Sequence, residues 1–367
     1  MKKRLNSLDL VRAAACLGVF SFHCYLSRFG TWGVSVFLLL SGFLMCYNYF
    51  DGFDADSVSF KSSLKFSIRR IGKMYPLHIL MLLLMTLFYA LMYSARYPVS
   101  ELIFKIKAFF ASLFLVQAWI PGTGYAFSYN IVSWYTSVMV FLYFAFPYLL
   151  RAIIKYRSSS RAYFTIVVIA ALQFASAYAV NRIFEAVPGD NTDLVRWFTY
   201  VFPVYRLGDF AIGCNLGYIF LQRERKAPGP VAGTLLELVS IGAVAGAELI
   251  YTRNYLPPYI SFNLLFTLPS ILLIYSFALG AGYISKLAGW KPVKFISDYS
   301  GEIYLVQFVM IQYSMAFVNL FLGRLLPLGE TAGKVIFIVC AVGGTVIFSL
   351  LYRKYLSRLF RHRVRRT

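Results

Sequence analysis

The chain has 367 residues, 59% of them hydrophobic and only 14% charged, with a formal net charge of +21. A soluble domain of this size has too little interior for so much apolar surface, which leaves a polytopic membrane protein. The positive charge does not argue for nucleic acid, because Lys and Arg concentrate in the short connections between apolar segments, where cytoplasmic loops carry them.

The apolar stretches are too long for barrel strands and do not alternate with polar residues, so the expected class is all-α, a polytopic transmembrane helical bundle. Eleven segments qualify, at roughly 8–27, 32–50, 76–94, 107–119, 131–150, 161–180, 201–221, 233–251, 261–282, 302–321 and 332–352.

The first segment holds the most informative pair, Arg12 and His23. An ionisable residue inside a span is costly and needs a reason. Eleven residues at about 100° each bring His23 to within roughly 20° of Arg12 on the helix surface, some 16 Å further along the axis. One face therefore carries a cation near one end and an imidazole near the other. That arrangement suits a long anionic ligand whose reactive end lies deep in the membrane, with neutral His23 able to act as a general base on a hydroxyl. The start of the chain, Met1 to Arg4, is basic, and no small-residue cleavage site follows, so it reads as an uncleaved signal anchor.

The second segment carries Gly33 and the Ser41-Gly42 pair, small enough for close helix packing or for a slender acyl-pantetheine chain to lie against the backbone. Before the third segment comes Arg69-Arg70 with Lys73, Tyr75 and Pro76. This cluster reads either as anchoring at the cytoplasmic face or as a clamp for a diphosphate. The fourth segment is the shortest and falls below spanning length. Trp134 opens the fifth from the outside, where an interfacial belt is its default role. Arg206 and Asp209 are spaced to pair on one face of the seventh, as a structural ion pair or as acceptor-sugar contacts. His78 and His362 read as interfacial. The cysteines, Cys16, Cys24, Cys46, Cys214 and Cys340, show no metal spacing and read as small core residues.

Charge decides the topology. With both basic termini in the cytoplasm the number of crossings is even, and leaving out the fourth segment places most of the 36 Lys and Arg inside. The expectation is about ten spans, with 95–130 a re-entrant or outer-face excursion. It covers 1–367 as a single integral-membrane domain with no appended soluble domain.

Together these stretches resemble the membrane acyltransferase family 3, bacterial proteins that O-acylate cell-surface glycans and related acceptors. The resemblance is carried by Leu8-Asp9-Leu10-Val11-Arg12 with His23, by Gly33-Val34 through Ser41-Gly42-Phe43, and by Arg69-Arg70 with Tyr75-Pro76. Phe210 with Gly213, and Ile296 through Ser300 with Tyr304-Leu305, also match. It implies a multi-pass protein of the bacterial plasma (inner) membrane. It also implies an acyl-CoA donor, usually acetyl-CoA, used as a co-substrate, with no permanently bound cofactor and no metal. The acceptor would be a hydroxyl of a cell-surface or lipid-linked glycan.

On the same resemblance His23, Arg12 and Asp9 form the catalytic set of the first helix. Arg12, Arg69, Arg70, Lys73, Tyr75 and Ser41 would meet the donor, and Trp134, Arg206 and Asp209 the acceptor. Three positions depart from the family's usual pattern: Lys73 where a second arginine is common, Met139 where a carboxylate is common, and Gln307 where a histidine is common. A transporter or flippase of a glycan or lipid intermediate is the alternative, since Arg12, His23, Arg206 and Asp209 would also suit proton coupling. A catalytically dead scaffold is the third reading.

Overall fold

The structure is a computed structural model that describes residues 4–27, 30–93, 98–223, 227–322 and 329–356. Lys2, Lys3, Arg225, Lys226, His362, the basic residues beyond 356 and positions 95–97 of the expected outer excursion lie outside the described residues.

No strand occurs among the described residues. The helices in chain order are α1 (Leu8–His23), α2 (Thr31–Tyr49), α3 (Phe60–Ile71), α4 (Tyr75–Tyr93), α5 (Val99–Leu113), α6 (Thr123–Ala126), α7 (Trp134–Tyr156) and α8 (Ser159–Glu185). They continue with α9 (Thr192–Arg196), α10 (Pro203–Leu221), α11 (Pro230–Thr252), α12 (Pro258–Ser261), α13 (Leu264–Leu279), α14 (Lys291–Asp298), α15 (Ser300–Ala316) and α16 (Glu330–Leu351).

Among the described residues, eight helical segments are long and apolar enough to cross a membrane, and they begin at Thr31, Tyr75, Ile131, Ser159, Pro230, Pro258, Ser300 and Glu330. The multi-pass helical bundle read from composition is therefore present. Two helices expected to cross are not among the eight. α1 has only 16 residues, and α10 carries Arg206 and Asp209 inside it. Both nevertheless bury most of their length in the bundle.

The centre is the crossing of α2 and α10. A Cβ added at Gly42 would strike the Phe210 carbonyl, and one at Gly213 would strike the Leu39 carbonyl. Glycine at both positions lets the two backbones touch, the close packing expected of small residues in membrane helices. α2 has 72% of its span buried, whereas α8 has 11% and exposes Phe164, Val167 and Leu172. In a membrane protein such an apolar rim is the surface offered to lipid.

The fourth apolar segment folds back rather than continuing as a span. α5 has 15 residues, and its last turn returns to the start of α4, where the Tyr75 hydroxyl donates to the Leu113 carbonyl at 2.9 Å. His78 Nε2 is 2.8 Å from the Ser112 carbonyl. Ser137 in the first turn of α7 donates to the Leu115 carbonyl at 2.6 Å. This excursion ties the beginnings of α4 and α7 together.

Candidate active site

His23 is the last residue of α1 and sits where the chain turns into α2. It lines a cavity of about 70 Å³ together with Thr31, Trp134, Arg196, Tyr200 and Tyr304. Its ring is fixed by edge contacts to Phe22, at 5.6 Å between centroids, and Phe308, at 5.9 Å. Nδ1 is buried and makes no hydrogen bond of standard geometry, with the Val19 carbonyl one turn back beside the ring. Nε2 is the nitrogen left open. An imidazole held by rings, with no carboxylate against it among the described residues, is arranged to take a proton from something that enters.

Trp134 joins this cavity rather than standing in an interfacial belt. It is 3% exposed, and its ring packs 4.9 Å from that of Tyr200. The opening turn of α7 holds it there, pinned by the Ser137 bond to Leu115. Aromatic walls of this kind suit the apolar faces of a sugar ring while leaving its hydroxyls to polar groups.

Arg12 makes no hydrogen bond or ion pair among the described residues. It lies inside the bundle within electrostatic reach of Asp9 and Tyr135. Tyr135 faces Ser41 and packs 5.2 Å from Tyr304, which lines the His23 cavity. In the other direction Tyr143 is within reach of both Arg12 and Arg70. Arg70 donates to the Tyr49 hydroxyl at 2.6 Å, and its guanidinium lies over the Tyr49 and Phe66 rings at 5.1 and 5.5 Å. A file of polar side chains thus runs from Arg70 at the end of α3 past Tyr143, Arg12 and Tyr135 to the cavity. Arg69 and Lys73 are exposed at its outer end, and Tyr75 turns away to Leu113.

The other expected site residues lie elsewhere. Asp9 accepts from Arg4 at 2.8 Å and from Ser297 at 2.7 Å, fastening the start of α1 to α14. It is fourteen residues before His23, about 21 Å along the helix, and the fold does not bring it to the imidazole. Arg206 and Asp209 are both fully buried, pair at 2.9 Å and do not line the cavity. Asn263 bonds both of them, and Gln173 donates to Asp209 at 3.2 Å. Their contribution to the site is indirect, through the Arg206 guanidinium 5.6 Å from the Tyr200 ring.

The departures from the family pattern are buried too. Met139 is 2% exposed in the apolar core. Gln307 is fully buried, bonds weakly to the Tyr304 carbonyl at 3.3 Å and leaves its own carbonyl oxygen without a partner.

Two residues at the candidate site were not singled out from the sequence. Arg196, at the end of the five-residue α9, lines the His23 cavity. Glu248 in α11 is 1% exposed and accepts from the backbone of Trp32 at 3.0 Å. It supplies a carboxylate to the start of α2, where Gly30 has no side chain to cap with. A signal for Glu248 existed, because Glu237 and Glu248 are ionisable residues inside an apolar span, eleven apart like Arg12 and His23. Glu237 caps Gly282, Ile284 and Ser285 instead.

Comparison with known proteins adds the family. Acyltransferase MdmB of Streptomyces mycarofaciens is 26% identical over 331 residues, which cover 84% of this chain and 80% of that protein. Peptidoglycan O-acetyltransferase OatA of Listeria monocytogenes is 25% identical over 331 residues. That match covers 84% of this chain but 50% of the Listeria protein, so the chain spans about half its length. No solved structure matches the chain. The acyltransferase domain profile of the acyltransferase 3 family matches residues 5–354, from just before α1 to just past α16, and the chain belongs to that family.

Proposed function

We propose that this protein is a membrane O-acyltransferase that moves an acyl group, acetyl in the first instance, from cytoplasmic acyl-CoA to a hydroxyl of a cell-surface or lipid-linked glycan. The observation that carries this reading is His23 in an aromatic cavity, without a side-chain partner among the described residues, joined through Tyr304, Tyr135 and Arg12 to the basic cluster at Arg70. The peptidoglycan O-acetyltransferase relative supports a glycan acceptor.

In this reading the anionic end of acyl-CoA is held by Arg70 and Arg12, and its thioester reaches the cavity. Nε2 of His23 takes the proton of the acceptor hydroxyl as that oxygen attacks the acyl carbonyl. The carbon–sulfur bond then breaks, and the CoA thiol leaves with the proton that the imidazolium returns. Tyr304 and Trp134 line the space where sugar and acyl group meet. Both termini face the cytoplasm of a bacterial inner membrane, so the basic mouth also draws in a polyanionic donor.

The transporter alternative needs intramembrane charges free to exchange protons. Arg206 and Asp209 are instead closed against each other and Asn263. Transfer of radiolabelled acetyl from acetyl-CoA to peptidoglycan glycan strands by purified wild type and His23→Gln protein tests the proposal. Transfer is expected from wild type and not from the variant. Equal transfer by both would remove His23 from the chemistry.

A further inference from the structure

Arg196 stands unpaired among the described residues. It makes no hydrogen bond or ion pair among the described residues, and its buried Nε is without a partner. The carboxylates near it in sequence are all engaged. Both oxygens of Asp193 are taken by Thr123, Asp190 by Thr192, and Glu185 by Asn181 and Arg182. The guanidinium is nevertheless held in place, 5.1 Å from the Phe127 ring and 5.6 Å from the Phe262 ring. It lines the same cavity as His23.

A guanidinium clamped between rings has already given up its side-chain freedom and much of its water, so a partner arriving there gains the full benefit of the charge. Its planar fork matches a carboxylate or a phosphate, whereas a neutral hydroxyl leaves most of its donors unpaired. We infer that Arg196 docks an anionic group of the acceptor, so that the preferred glycan is one bearing a carboxylate or phosphate close to the hydroxyl that is acylated. This inference rests on the reading of the His23 cavity as the place where the acceptor binds.

The test is calorimetric binding to the full chain in detergent, using two matched pairs of probes. One pair is the disaccharide of N-acetylglucosamine and N-acetylmuramic acid and the same disaccharide with its carboxylate converted to the carboxamide. The other is N-acetylglucosamine 1-phosphate and N-acetylglucosamine. Wild type is expected to bind the charged member of one pair at least about tenfold more tightly than its neutral counterpart. The pair that responds identifies the anion as a sugar carboxylate or a phosphate. Arg196→Gln should bring that ratio to about one, and Arg196→Lys, which keeps the charge without the fork, should retain part of it.

Equal affinity within both pairs for wild type would overturn the inference. So would a preference that Arg196→Gln leaves intact, or no binding of any probe by folded wild type. Acetyl transfer measured on the same samples separates this from the broader proposal. An Arg196-dependent preference without transfer removes the acyl-transfer role and leaves the anion site, and transfer without the preference does the reverse.

Discussion

Arg12 and Arg206 are both arginines within an apolar helical bundle, and the fold handles them in opposite ways. Arg206 is fully buried against Asp209 at 2.9 Å, with Asn263 bridging both and Ser35 within 3.4 Å. Arg12 has no such partner among the described residues; Asp9 lies within electrostatic reach, and tyrosines lead from Arg12 toward His23 in one direction and Arg70 in the other. A buried cation whose charge is answered inside the protein holds helices together. One without an ion-pair partner is available to an anionic ligand, which is the role proposed for Arg12.

Substitutions that separate the two regions make this contrast testable. The largest effect on chemistry is expected at His23, where alanine should lower acyl transfer by about 10²–10⁴-fold with little loss of stability, checked by initial rates beside a thermal melt. The largest effect on stability is expected at the closed pair. Asp209→Ala leaves Arg206 buried alone and should cost about 3–5 kcal/mol, seen as a strongly lowered melting temperature and reduced yield of folded protein.

Gly213→Ala places a methyl against the Leu39 carbonyl at the α2–α10 crossing. It should cost about 1–3 kcal/mol by forcing those helices apart. Any loss of transfer should then follow the loss of folded protein. Tyr49→Phe removes only the bond that aims Arg70, worth about 0.5–1.5 kcal/mol, and should raise the KM for acetyl-CoA a few-fold while kcat holds. If Asp209→Ala proved as stable as wild type while Arg12→Ala unfolded the protein, the assignment of the two arginines would be reversed.

Much of the site was legible in the sequence, and the reasons are particular. Arg12 and His23 stood out because an apolar helix makes any ionisable residue conspicuous. Gly42 was visible as a small residue suited to close packing and Gly213 only as part of the family pattern, and the structure shows each facing a carbonyl of the opposite helix, that of Phe210 and that of Leu39. Arg196 was not legible, since a short loop helix has no periodicity and its meeting with His23 depends on α9, α1 and α7 converging.

α3 also escaped the segment count. It is polar on average and starts with a Ser59–Ser62 capping box instead of an apolar run. Asp9 was placed in the catalytic set by the family resemblance, and Asp209 was read as half of a structural ion pair or as an acceptor contact; the fold uses both as fasteners, one to α14 and one to Arg206. A carboxylate's role follows from which donor reaches it, and that is decided by tertiary packing.

The most direct measurement is acetyl-CoA binding by calorimetry to detergent-solubilised wild type, Arg12→Ala and His23→Ala protein. Saturable binding by wild type is expected, weakened about ten- to a hundredfold by Arg12→Ala and largely spared by His23→Ala. Binding that Arg12→Ala leaves unchanged, or that well-folded wild type does not show at all, would contradict a donor held along the first helix with its thioester presented to His23.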